Sequence, residues 1–329
     1  MIQLNYIKIL NYITESGKTT TIQLSYQTFG KPLNEAPIVL VNHALTGNSE
    51  VIGKNGWWND LIGGDKCIDT NDYCILAFNI PGNGHDNTIE NLIKNYKDFT
   101  ARDIAKIFTL ALAQLNIERL FAVIGGSVGG GIAWELAALN PNLIEHLIPV
   151  STDWKSTDWL IANCHIQDAI LNNSSQPLKD ARMHAMTLYR TPESFTSKFK
   201  RSKKNSHLFN TESWLNHHGE KLSKRFNLSA YKMMNQILKT IDITDNRGSF
   251  IEVVSKITSH IHMITINSDL FFKPEENQKT LEELKGIKEN VSIYKIDSIH
   301  GHDGFLIEFD QLSNFLNPIF KINEIKSLG

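Results

Sequence analysis

The sequence has only three cysteines among its 329 residues, Cys67, Cys74 and Cys164. An odd set without Cys-x-x-Cys spacing argues against disulfides and cysteine-held metal, and for a reducing compartment. Charge of one sign is also missing: 33 Lys+Arg stand against 35 Asp+Glu, a formal net charge of -2. That near-balance gives no global drive toward nucleic acid or anionic membrane, so small molecules are the expected partners. No stretch approaches the roughly 18 consecutive apolar residues of a membrane span. The N-terminal segment "MIQLNYIKILNYITESGKTT" lacks a cationic region followed by a sustained apolar run. A secretory signal is therefore not expected, and the cytoplasm is the expected location.

What the chain does have is 41% hydrophobic residues, enough for one large core carrying an insertion. Strand-like segments come early, at "TIQLSYQTFG", "APIVLVNHA" and "YCILAFNIPG". A helix is expected from Thr100, with Asp103 completing a capping box over "TARDIAKIFTLALAQLNI". The apolar run "RLFAVIGG", a helix from Ser127 to Leu139 and the strand "EHLIPVST" follow. Buried strands alternating with helices predict an α/β fold with a mostly parallel central sheet. From 152 to 248 the pattern is helical with no convincing apolar strand. The α/β alternation resumes at "HIHMITINSD", with a helix near Pro274, a strand at "VSIYKID" and a last helix after Gly304. Residues 1–151 and 249–329 thus form the core domain, and residues 152–248 form an inserted helical lid.

The glycines of "FAVIGGSVGGGIAWELA" surround Ser127 where a strand turns into a helix. Gly125, Ser127 and Gly129 give Gly-x-Ser-x-Gly in the setting of a nucleophile elbow, a strained turn that needs glycines for the strand and helix to approach. A nucleophilic serine needs a base and an orienting acid, in the order Ser, Asp, His. Asp269 in "INSDLFF" and His302 in "DSIHGHDGFL" occupy those places after successive strands. His300 and Asp303 are local competitors. Read as a metal pair, "HGH" lacks a third ligand at suitable spacing, so no metal is expected. Backbone N–H groups of Val128 and of Leu45, in "NHALTG", are the expected oxyanion donors. His43 in that loop is expected to be structural, since the base is already accounted for.

Taken together, "NHALTGNS", "GWWNDLIGGDKCIDTNDY", "TARDIAKI", "LNIERLFAVIGGSVGGGIAWELA", "ARMHAMTLYR", "ESWLNHHGEKLSKRFN", "INSDLFF" and "GHDGFL" resemble the homoserine O-acetyltransferase family of α/β-hydrolase-fold enzymes. The likeness runs from about residue 36 to residue 310 and includes the lid. It implies transfer of an acyl group from acyl-coenzyme A to the hydroxyl of L-homoserine through an acyl-serine, a step of methionine biosynthesis. It also implies a homodimer joined through the lids. No bound cofactor is implied; acyl-coenzyme A is a co-substrate. The family's nucleophile, acid and base fall on Ser127, Asp269 and His302, and its homoserine-holding residues on Arg182, Tyr189 and Asp303. A guanidinium suits the acceptor's carboxylate and a carboxylate its ammonium. The chain departs from the family in the shorter "NIPGNGHDNTIENLIKNYKDF" after Asn79, which leaves the acyl group and the exact amino-alcohol acceptor open. The alternatives are a serine esterase or thioesterase that gives the acyl group to water, and a catalytically silent scaffold. The basic run "KFKRSKKNSH", if not simply a solvated face, offers cations to the phosphates of coenzyme A.

Overall fold

A computed structural model of the chain describes residues 4–321. Its central sheet has eight strands: β1 (Asn5–Ile13), β2 (Thr19–Gly30), β3 (Ile38–Asn42), β4 (Cys74–Phe78), β5 (Leu120–Gly126), β6 (Ile144–Val150), β7 (His260–Ile266) and β8 (Val291–Ile296). They lie in the order β1-β2-β4-β3-β5-β6-β7-β8. The six strands from β4 to β8 run parallel, whereas β2 pairs antiparallel with both β1 and β4. The central strands β3 and β4 are buried along their whole length, as strands covered on both faces must be. The sequence reading passed over β1. Its alternation is broken by a register shift between Ile9 and Tyr12, with Asn11 at φ 52°, and Leu10 and Ile13 of this edge strand face outward.

Helices α1 (Ala101–Gln114) and α2 (Val128–Leu139) flank the sheet's centre and pack on each other. The Thr100–Asp103 capping box forms as expected, and Asp103 also accepts from the Tyr12 hydroxyl at 2.7 Å and the Glu15 N–H at 2.8 Å. One carboxylate therefore starts α1 and ties the β1–β2 hairpin to it.

After β6 the chain leaves the sheet for α3 (Asp158–Asn173), α4 (Pro177–Tyr189), α5 (Pro192–Phe199), α6 (Asn210–Arg225) and α7 (Leu228–Lys239). Its outgoing and returning segments run side by side: Ser156 N–H donates to Ile241 O at 2.8 Å and Ile243 N–H to Trp154 O at 3.3 Å. Contrary to the all-helical expectation, a short ribbon of Lys203–Asn205 and Leu208–Phe209 joins α5 to α6. Lys203–Asn205 is exposed throughout, so no apolar alternation marks it. After the lid, α8 (Phe250–Val254) leads into β7, α9 (Pro274–Leu284) crosses to β8, and α10 (Phe309–Phe320) ends the described chain. After β8 the chain makes a 3-10 turn, Gly301–Leu306, and the last helix follows it, after Gly304 as expected. All three cysteines are buried thiols. No helix among the described residues is long and apolar enough to cross a membrane.

Candidate active site

Ser127 sits between β5 and α2 with φ 56° and ψ −125°, a backbone state that costs a non-glycine residue about 1–3 kcal/mol. Close approach explains the flanking glycines. A Cβ on Gly125 would lie 2.4 Å from the Gly129 backbone, and a Cβ on Gly129 would lie 2.4 Å from Asn42 O. The turn is therefore packed on itself on one side and on the end of β3 on the other.

The elements gather three distant side chains into one relay. The Ser127 hydroxyl donates to His302 Nε2 at 2.9 Å, and His302 Nδ1–H donates to Asp269 Oδ2 at 2.7 Å. Asp269 follows β7 and His302 follows β8, the C-terminal ends of parallel strands where α/β sheets place their sites. The other carboxylate oxygen, Asp269 Oδ1, accepts from the N–H groups of Phe271 and Phe272 at 2.7 and 3.0 Å. Ser127, Asp269 and His302 are all at most 4% exposed, so bulk water is largely excluded from the relay.

Rings enclose the imidazole, a feature that sequence reasoning missed. Phe271, Phe272, Phe305 and Tyr189 have centroids 5.1, 5.7, 5.6 and 5.5 Å from that of His302. A Cβ on Gly126 would meet the Phe305 ring at 2.6 Å, so that glycine makes room for one wall. Such a cage fixes the imidazole plane by packing, and ring faces favour a cation when it forms.

Val128 opens α2, so its N–H is one of the helix's unpaired N-terminal donors, aimed beside Ser127. Leu45 lies in the loop after β3, which is held by a buried histidine. His43 Nδ1–H donates to Ala44 O at 2.8 Å, while its Nε2 accepts from Ile80 N–H at 3.0 Å and from Asn83 Nδ2 at 3.2 Å. Burial pushes the His43 imidazole down to about 4, so it is neutral at pH 7 and can both donate and accept in this way. His43 is thus a structural tie between the Leu45 loop and the shortened loop after β4. Asn83 extends the tie to Asn79 Oδ1 at 3.0 Å, which also accepts from Ser49 N–H.

Tyr189, at the end of α4, is buried against His302 and Phe271, and Arg182, two turns earlier, lies 5.6 Å from its ring. Burial raises the Tyr189 phenol well above its usual range, so it is neutral. Among the described residues no carboxylate pairs with Arg182. Asp303, by contrast, is already engaged: Arg190 Nε donates to its Oδ2 at 2.7 Å. Arg190 was not singled out from the sequence, although it closes the motif that holds Arg182 and Tyr189. Its Nη1 also donates to His300 Nδ1 at 3.1 Å, where Ser194 Oγ lies at the same distance. His300 therefore belongs to the seam between lid and core, outside the relay. No cluster of three or more His, Cys, Asp or Glu side chains suited to a metal occurs among the described residues.

Chemically, this arrangement can activate a hydroxyl at a shielded site, and the chain has relatives both in fold and in sequence. Residues 37–245 match the alpha/beta hydrolase fold family. A solved homoserine O-acetyltransferase from Bacillus anthracis superposes with a TM-score of 0.88 over 97% of both chains at 21% identity. Esterase E22 superposes with a TM-score of 0.86 over 97% of this chain and 100% of its own, at 17% identity. Those two likenesses show the fold. In sequence, the homoserine O-acetyltransferase of Methanococcus vannielii is 34% identical over 96% of this chain and 72% of its own length. With that identity along nearly its whole length, the chain belongs to the homoserine O-acetyltransferase family within the α/β-hydrolase fold.

Proposed function

We propose that the protein transfers an acetyl group from acetyl-coenzyme A to the side-chain hydroxyl of L-homoserine, with Ser127 as the acyl carrier. The observation that carries this reading is the Ser127–His302–Asp269 relay, at 2.9 and 2.7 Å, in a chain of this family. In the first half-reaction His302 Nε2 takes the Ser127 proton as Oγ attacks the thioester carbonyl. The Leu45 and Val128 N–H groups hold the oxyanion, the C–S bond breaks, and His302 returns the proton to the leaving thiolate. In the second, His302 takes the homoserine hydroxyl proton, the oxygen attacks the acyl-serine, and the proton goes back to Ser127. Asp269 keeps Nδ1 protonated throughout, so that Nε2 stays the base.

Transfer must outrun hydrolysis. Water stands at roughly 55 M, and a well-oriented acceptor can reach an effective molarity of about 10⁵ M or more. Arg182 supplies a cation for the acceptor's carboxylate, Asp303 an anion for its ammonium, and Tyr189 a neutral wall between Arg182 and His302. Because Asp303 is paired with Arg190, the acceptor's ammonium binds its free oxygen or displaces that guanidinium. The reading extends to a cytoplasmic homodimer joined through the lids; Trp159 and Ile166, exposed seven residues apart on α3, offer one apolar stripe for that contact. The test is thiol release from acetyl-coenzyme A, which should depend on homoserine and disappear in Ser127→Ala. Equal release with and without homoserine would leave a thioesterase instead.

A further inference from the structure

Away from the relay, α4, α5, α6 and the exposed ribbon enclose an open groove of about 930 Å³ on the lid. Lys179, Lys198, Lys204, Trp214 and His217 line it, and its one carboxylate, Glu220, lies 3.5 Å from Lys179. Lys198 and Lys204 have no carboxylate partner among the described residues; Lys204 Nζ donates only to the neutral Ser213 hydroxyl, at 3.1 Å. Trp214 is half-buried, steadied edge-on by Phe195 and Phe199 with centroids 5.6 and 5.7 Å away. Cations gathered around an indole suit a ligand that carries both phosphates and a flat ring.

Helix α4 measures the distance from this groove to the reaction centre. Lys179 lies in its first turn and Tyr189, packed on His302, is its last residue. Ten residues at 1.5 Å each span about 15 Å. That length matches an extended pantetheine arm, the spacer between the thioester and the phosphorylated adenosine of coenzyme A.

We propose that this lid groove binds the phosphorylated adenosine end of the acyl donor, with Lys179, Lys198 and Lys204 at the phosphates and Trp214 beside the base. The assignment rests on the donor being an acyl-coenzyme A, as in the functional reading above. It makes the lid the part of the molecule that distinguishes the full donor from a bare thioester.

The test compares acetyl-coenzyme A with S-acetyl-N-acetylcysteamine, which has the same thioester and no phosphates, in the wild type and in a Lys198→Ala/Lys204→Ala double variant at low salt. The variant should raise KM for acetyl-coenzyme A by about tenfold or more, the loss of at least one charge-assisted contact. Its kcat, and its kcat/KM for the short thioester, should stay at wild-type values. Raising the salt to about 0.2 M, where the Debye length is about 7 Å, should raise the wild-type KM for acetyl-coenzyme A more than the variant's. An unchanged KM for acetyl-coenzyme A overturns the groove, and so does an equal loss with both thioesters, which marks general damage to the lid. If the wild type is acylated by neither thioester, the functional reading itself fails and takes the groove with it.

Discussion

Replacing Asp269 by Asn probes the relay with almost no change of shape. Two backbone N–H groups, from Phe271 and Phe272, point at Oδ1. In the variant the amide must turn its oxygen to them, because an NH2 facing two donors in a buried site would leave each unpaired at a cost of about 1–3 kcal/mol. The amide NH2 then faces His302 Nδ1, which has to accept rather than donate. The imidazole proton moves to Nε2, where it points at Ser127 and can no longer be replaced by the serine's own. A wrong tautomer of this kind costs about 10⁴ in rate, or about 5 kcal/mol of barrier. The assay is the burst of p-nitrophenol on acylation by p-nitrophenyl acetate, with thermal unfolding to show that the fold is kept. A loss smaller than about tenfold in a folded variant would refute the assignment of His302 as base and Asp269 as the residue that sets its tautomer.

Ser127→Gly should be inactive yet more stable than Ser127→Ala by about 1 kcal/mol, because only glycine adopts φ 56° together with ψ −125° without strain; denaturant titration of the two decides it, and equal midpoints would contradict the strained turn. Asp153, buried at the start of the lid, is pushed up from 3.8 to about 7 by burial. The folded protein therefore keeps a proton there that the unfolded chain gives up, so stability is fully present below pH ~4 and is lost as pH rises toward 7. Asp153→Asn should recover that loss, with a ceiling of about 4 kcal/mol at pH 7.5 and little gain at pH 4; a gain that does not change with pH would contradict the reasoning. Asp303→Ala should leave the acylation burst intact, lower transfer to homoserine and raise the hydrolysed fraction; product analysis showing an unchanged partition would remove Asp303 from acceptor binding.

The legible parts of the chain were those whose chemistry is local. The runs that became β3, β4 and β5 are apolar because both faces are covered, and the Thr100–Asp103 cap and the glycines around Ser127 state their geometry within a few residues. The order Ser127, Asp269, His302 was readable because each lies just past a strand that could be seen. What stayed hidden depends on contacts between distant segments. Phe271, Phe272, Phe305 and Tyr189 meet only around His302, and no periodicity links them. Arg190 finds Asp303 across 113 residues, and His43 finds Asn83 across a loop whose length, not its motif, marked it in the sequence. β1 was lost to a bulge and the lid ribbon to two very short strands, one of them fully exposed, each of which erases the alternation by which a strand is read.

The most direct test of the account follows the acyl group itself. Brief exposure to acetyl-coenzyme A, followed by mass spectrometry of the protein, should show one acetyl group on Ser127. Adding homoserine at millimolar concentration should clear it far faster than water alone and release the O-acetyl ester of homoserine. An acyl-serine whose lifetime does not change with homoserine would contradict acyl transfer to that acceptor and leave a hydrolase.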